Sequence, residues 1–314
     1  MADAPELDVP VVAHEDHHEF TLIERGTVLL AIALPFVATV LAVVLLWGGM
    51  VNLWWLALAG GFYFITTIGI TVGYHRMITH KSFDAGPLVR LMFAVFGSLS
   101  LEGPCVQWAA IHRRHHRHSD HEEDPHSPHA YGGGFWGVVR GFWHAHTGWM
   151  LRKEKYHDFE RWSPDLLKDR VLMRVNNLFW LWATLTFLLP AAIGGLVTMS
   201  WAGFGLGLLW GGLVRVFLVH HVTWCVNSIC HIWGTAPYKS HDESRNNAVV
   251  GVLAFGEGWH NNHHAFPASA RHGLKWWQLD IAWITIRTLE KLGLVWNVRV
   301  PTPERLKAKE RVAA

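Results

Sequence analysis

Three groups of histidines stand out by their spacing: His75-Arg76-Met77-Ile78-Thr79-His80, His112-Arg113-Arg114-His115-His116 and His260-Asn261-Asn262-His263-His264. On an α-helix, positions i, i+3 and i+4 share a face, so His112, His115 and His116 can converge on a metal site, as can His260, His263 and His264. His75 and His80 are five apart, about 140° around an α-helix, which suits two neighbouring ions or a helix end rather than one ion. Asn227 and His231, at i and i+4, share another face and add a candidate ligand with a polar neighbour. Imidazole is the commonest metal ligand and suits iron or another borderline metal while leaving positions for a reactant. The 3 cysteines, Cys105, Cys225 and Cys230, form neither a disulfide framework nor a zinc ribbon. The chemistry indicated is that of a redox-active metal held by nitrogen.

The chain has 23 histidines, so most need no such role. His14, His17, His18, His129, His157, His241 and His272 are read as ordinary polar residues. His118, His121, His126, His144, His146, His220 and His221 stand beside the clusters, as supporting or interfacial groups. Asp120, Asp124 and Glu257 are placed to accept the free ring N–H of a ligating histidine, an arrangement common around metal sites.

The elements that must position these residues are membrane helices. Of 314 residues, 51% are apolar and only 17% charged, against about a quarter charged in soluble domains. A net charge of +2, with no basic run interleaved with aromatics, argues against a nucleic-acid partner. No charged residue occurs from Thr27 to Tyr74, a stretch that as one helix would be about 72 Å long, whereas a bilayer core is about 30 Å thick. The stretch therefore folds back near Gly48 to Asn52, and a second apolar run divides at Thr198-Met199-Ser200. Spans are expected near 27–48, 53–74, 177–197 and 203–224. Leu91 to Leu101 is too short to cross and reads as re-entrant or interfacial. Phe135 to Met150 and Trp276 to Leu289 read as amphipathic surface helices.

Of the 27 Lys and Arg, all but Arg215 lie in the N-terminal segment or in the blocks 75–175 and 225–314, on one side of a four-span topology. The positive-inside rule makes that side cytoplasmic, which puts both termini and all the histidine clusters there. The expected fold is thus an all-α membrane protein with four transmembrane helices and a cytoplasmic helical cap carrying the histidine site. It comprises a polar tail over 1–26, without an apparent signal peptide, one integral-membrane domain over 27–300 and a charged tail over 301–314. Arg215, alone inside a span, should face a partner or a cavity.

At these residues the chain resembles the membrane-bound fatty acid desaturases, and within them the delta-9 acyl-CoA (stearoyl-CoA-type) branch with its bacterial relatives. The resemblance runs through the three histidine groups, Ser119-Asp120, Asp124-Pro125-His126, Gly148-Trp149, Asn227 to His231 and Gly256 to His264, across residues 27–297. It implies two iron ions, one with His75, His112, His116 and His263 and, through water, Asn227, the other with His80, His115, His231, His260 and His264. It further implies O2 as co-substrate, a cis double bond introduced into a long-chain acyl group, and a bacterial inner-membrane location. Where animal acyl-CoA enzymes have an Arg-Asp pair before the second cluster, this chain has Ala110-Ile111. Arg152 and Lys153, following Trp149, match a basic pair that the family uses near the CoA headgroup.

That chemistry needs two electrons from outside, because the chain has no iron–sulfur cysteine set, no dinucleotide fingerprint and no fused haem domain. A separate ferredoxin, rubredoxin or cytochrome-b5-type donor with its reductase is the expected partner, beside acyl-CoA or an acyl lipid. Down the second span from His75, Thr71, Ile68 and Phe64 share a face about 6, 10 and 16 Å deeper, and bulk at Phe64 or Ile68 would limit the acyl chain if that face lines a tunnel. The competing readings are an acyl-lipid desaturase, a fatty acid or alkane hydroxylase using the same oxidant, and a metal transporter. A transporter should hold its polar ligands at mid-membrane, whereas these clusters lie beyond the span ends.

Overall fold

A computed structural model describes residues 18–19, 21–47, 52–152, 154–155 and 158–311. The fold is helical, and its described strands are two-residue pairings such as Asp84–Ala85 with Val295–Trp296. Four helices are long and apolar enough to cross a membrane: Leu22–Leu46, Leu53–Thr79, Phe179–Thr198 and Trp201–Ile232. The most apolar windows of the first and third are 17% and 22% buried, and those of the second and fourth 56%. The second and fourth therefore form the interior, and the other two shield them.

The helix ends follow local chemistry. Asn52 caps the second span, its Oδ1 accepting from the Trp54 and Trp55 amides at 3.0 and 3.4 Å. The expected turn before it lies, apart from Asn52, outside the described residues. Met199, at φ 48°, ends the third span in the left-handed region, and Ser200 caps the fourth by accepting from the Gly203 amide at 3.0 Å. Across this hairpin a Cβ on Gly207 would lie 2.2 Å from the Pro190 carbonyl oxygen, so only glycine lets the two backbones approach so closely.

The second and fourth helices run further than 53–74 and 203–224. At 1.5 Å per residue the helices Leu53–Thr79 and Trp201–Ile232 are about 40 and 48 Å long, longer than a bilayer core, and His75 and the Asn227–His231 face lie near their C-terminal ends. Each contains a π-helical stretch, Gly69–Thr79 and Leu208–Val214. The short apolar segment is a helix, Pro87–Ser98, laid against the second span where Gly69 lacks a side chain: a Cβ there would lie 2.2 Å from the Phe96 carbonyl carbon.

The rest of the cap includes Cys105–His118 with the second histidine cluster, Phe135–His146, His260–Ala265 with the third, and Ile281–Lys291. Phe135, Trp136 and Trp143 are exposed along Phe135–His146, as an interfacial helix requires. Of the stretch expected from Trp276 to Leu289, the helix begins only at Ile281, because Asp280 caps it. The charged tail expected over 301–314 contains a helix, Pro303–Lys309, tied down by Lys309 Nζ to the Ala265 carbonyl at 2.8 Å and by the Arg311 amide to the Pro237 carbonyl at 2.8 Å. Of the N-terminal tail, residues 1–17 and 20 lie outside the described residues.

Arg215 is fully buried, and its guanidinium donates to three backbone carbonyls. Its Nε reaches the Gly211 carbonyl at 3.1 Å, Nη1 that of Leu99 at 2.9 Å and Nη2 that of Thr186 at 3.1 Å. Leu99 is the C-cap of Pro87–Ser98, so the guanidinium sits at the negative end of that helix dipole. His220 holds the next carbonyl, Ser100, at 2.9 Å.

Candidate metal centre

The eight cluster histidines and His231 meet where the ends of the second and fourth spans abut Cys105–His118 and His260–Ala265. They form two groups: His75, His80, His112, His116 and His263, and His115, His231, His260 and His264, in each of which one ligand atom per residue lies within 4.8 Å of the others. Within the first group the Nε2 atoms face one another, His75 to His263 at 3.0 Å, His80 to His112 at 3.1 Å, His112 to His116 at 3.0 Å and His116 to His263 at 2.8 Å. In the second, His231 Nε2 is 3.0 Å from His260 Nε2. Two nitrogens bound to one ion at about 2.1 Å stand about 3.0–3.4 Å apart, so these spacings fit shared ions.

Helix geometry explains the sorting. At 100° per residue, His112 and His116 share one flank of their helix while His115 turns to the other. His75 and His80, which an α-helix would separate, belong to one group. The reason is the π-helical winding up to Thr79, where bonds run i to i−5: the His80 amide donates to the His75 carbonyl at 3.1 Å and the two rings lie 4.8 Å apart. His80 thus has a ring nitrogen beside those of His75, His112, His116 and His263.

Carboxylates fix four of the rings from behind. His75 Nδ1 is 2.5 Å from Glu257, His115 Nδ1 3.0 Å from Asp124 and His231 Nδ1 2.8 Å from Asp120, and His264 Nδ1 is bonded to Asp242. Each such bond places the proton on Nδ1 and turns the Nε2 lone pair inward. Asp120, Asp124 and Glu257 were expected beside the clusters. Asp242 was not, since nothing in Ser240-His241-Asp242-Glu243 distinguishes it from its acidic neighbour. Arg76, wholly buried, joins Glu257 at 3.2 Å to Asp280 at 2.9 Å. His272, which carried no sequence signal, forms a third group with His75 and Glu257. His129 and His241, equally unremarkable in sequence, bond the His231 and His116 carbonyls.

Burial first, then the neighbouring histidines, push the pKa values of His80, His112, His116, His260 and His263 well below the ordinary value. These rings are thus neutral at pH 7, the form that binds a metal. The His264 Nε2 is buried and has no hydrogen-bond partner. Facing lone pairs, an orphaned ring nitrogen and carboxylate-held tautomers together make a donor set that could hold metal ions.

A mostly apolar cavity ends on this centre, bounded by His75, His112, His260, Asn227, Glu257 and Trp108 at one end. Its walls are Thr67, Ile70 and Thr71 of the second span, Val219, Val222, Thr223 and Val226 of the fourth, and Ala254. Of the face expected from Phe64 through Ile68 to Thr71, only Thr71 lines it. Ile68 is packed in the core, and Phe64 is half exposed against Phe255, at 5.4 Å between rings. The π-helical stretch begins at Gly69 and rotates the face, so a period taken from an α-helix misplaces it. Trp108, one turn before His112 and stacked on it at 5.0 Å, was also missed, although the i, i+4 spacing marks it. Trp149 lies 5.4 Å from His126, whose ring lies 4.4 Å from His115. Arg152 follows it at the end of a short 3-10 turn and acts on His144, whereas Lys153 lies outside the described residues.

The family model described as fatty acid desaturase matches residues 52–299, and the chain belongs to that family. Among similar proteins, a hex-5-enoyl-[acyl-carrier protein] acetylenase of Moorena producens (strain JHB) is 42% identical, over 88% of this chain and 87% of its own length. An icosanoyl-CoA 5-desaturase of Limnanthes douglasii is 40% identical over 77% of this chain and 65% of its own length. An sn-1 stearoyl-lipid 9-desaturase of Synechocystis sp. (strain ATCC 27184 / PCC 6803 / Kazusa) is 38% identical over 77% and 70%.

Proposed function

We propose that the protein is an O2-dependent di-iron desaturase that introduces a cis double bond, at the delta-9 position, into a saturated long-chain acyl group carried by CoA. The observation that carries this reading is the apolar cavity that ends on ligands of both histidine groups, His75 and His112 of one and His260 of the other. A methylene cannot be deprotonated by any side chain, so a channel for an alkyl chain leading to a metal-ligand cluster is the arrangement its oxidation requires. Two irons bound by the nine histidines would supply an oxidant derived from O2. The residues of the chain do the rest. Val219, Val222, Val226 and Ala254 hold the acyl chain and exclude water, Asn227 offers a polar group beside the first histidine group, and the four carboxylates keep the rings in register.

Arg152 and Lys153 are the cationic partners proposed for the CoA phosphates, since charged groups bind phosphate best. The relatives named above are named for chains carried by acyl-carrier protein, CoA and lipid, so the carrier is the feature to test. Membrane placement with both termini and the site in the cytoplasm, at a bacterial inner membrane, and a separate electron-donor protein with its reductase complete the proposal. The test supplies purified iron-loaded enzyme and a ferredoxin- or cytochrome-b5-type donor with a saturated acyl-CoA, a saturated phospholipid and a saturated acyl-carrier protein in parallel. A cis-9 monoene from acyl-CoA is expected. Product from phospholipid or carrier protein alone overturns the CoA assignment, and a hydroxylated product overturns desaturation.

A further inference from the structure

We propose that Glu102 is the acid through which protons enter the cavity during turnover, an assignment that rests on the desaturase reading. Converting CH2–CH2 to CH=CH breaks two C–H bonds and passes two hydrogens to O2. Two electrons from the external one-electron donor and two protons from water complete the reduction to two water molecules. The cavity walls are largely apolar and the cluster rings are occupied, their lone pairs turned inward and four Nδ1 protons held by carboxylates. The protons need a separate way in.

Glu102 stands at such a place. It lies in the loop between Pro87–Ser98 and Cys105–His118, beside Thr223 of the fourth span, and the residue is only partly buried. Its carboxyl points inward: Oε2 accepts from Trp108 Nε1 at 3.1 Å, and Oε1 is buried with no hydrogen-bond partner of its own. The Thr223 hydroxyl faces the same carboxyl. Trp108 and Thr223 both line the cavity, and Trp108 stacks on His112, so a single layer of side chains separates the carboxyl from the reacting chain.

The surroundings keep the group near neutrality. Burial raises its pKa to about 7, opposed by the facing Thr223 hydroxyl and the Trp108 N–H, in the range where an acid can both give up and regain a proton. The titratable and charged groups around the loop are Tyr74 of the second span, bonded to Ser98 and to the Gly103 carbonyl, Cys105 at the start of the next helix, and Arg215 and His220 of the fourth span, engaged with Leu99 and Ser100.

Glu102→Gln separates proton transfer from support, because the amide oxygen still accepts the Trp108 N–H. The expected result is unchanged iron content, a KM for the acyl substrate within twofold of wild type, and a kcat about 100-fold lower, the size of effect usual for a lost general acid. The acid acts in its protonated form, so wild-type kcat should fall as pH rises through about 7, and that limb should be absent from the variant. Glu102→Asp, an acid on a shorter arm, should recover part of the rate and the limb. Wild-type kcat in Glu102→Gln, a flat wild-type profile between about pH 6 and pH 9, or an Asp variant no better than the Gln variant each overturns the assignment. An active wild type with an unaffected Glu102→Gln defeats this proposal alone, whereas a wild type that forms no monoene from any carrier defeats the desaturase reading with it.

Discussion

His231, at the end of the fourth span, donates its Nδ1–H to Asp120, whose Oδ2 is 2.8 Å away on the far side of the second cluster. The same oxygen accepts the Glu243 amide at 2.9 Å. One carboxylate thus ties a transmembrane helix, the second cluster and the loop after the fourth span together, and it turns His231 Nε2 toward His260.

His231→Ala is expected to lose activity as completely as His264→Ala, although it lies outside the three clusters, and to retain about one iron in place of two by elemental analysis. Asp120→Asn keeps the shape but not the charge and should weaken iron binding about 10–100-fold in a chelator competition. Normal turnover in His231→Ala would remove it from the ligand set.

Asp242→Ala should resemble Asp120→Asn more than a surface mutation, since Asp242 holds His264 Nδ1, whereas Glu243→Ala should leave iron content unchanged. Iron per protein after dialysis against a chelator distinguishes the two. Equal retention in both would make the Asp242 contact dispensable.

Arg215→Leu leaves buried carbonyl oxygens of Leu99, Thr186 and Gly211 without their cation, a loss of about 1–3 kcal/mol. Thermal melting in detergent should fall by several degrees, while the folded fraction keeps its iron and its product. An unshifted melt would show that the three contacts contribute nothing.

Chain length should respond to the cavity wall and not to the outer face of the second span. Ala254→Trp and Thr71→Trp are expected to shift products toward shorter acyl chains by gas chromatography, whereas Phe64→Ala leaves the profile unchanged. A shift with Phe64→Ala alone would place the chain along the outer face of the span.

Deleting residues 302–314 removes the Lys309 and Arg311 contacts with the segments around Ala265 and Tyr238. Faster loss of iron on mild heating is expected, because Ala265 directly follows the third cluster. An unchanged rate would show the terminal helix to be an appendage.

The number of spans, the clusters and the class of chemistry were legible in the amino-acid order because each rests on local regularities. An uncharged run too long for one crossing must fold back, and i, i+3, i+4 histidines share a helix face whatever surrounds them. The Asn227–His231 face and the carboxylates Asp120, Asp124 and Glu257 could be read for the same reason. What needed the tertiary structure were the features that depend on helix winding and on contacts between distant segments. The π-helical stretch at Gly69–Thr79 brings His75 and His80 into one group and rotates the cavity face from Ile68 and Phe64 to Thr67, Ile70 and Thr71. No residue type announces that winding, since it is set by packing along the whole helix. Asp242, His272 and the Glu102–Trp108 pair are likewise ordinary in sequence. Their roles come from being folded against groups up to about two hundred residues away, with burial changing what a carboxyl or an imidazole can do.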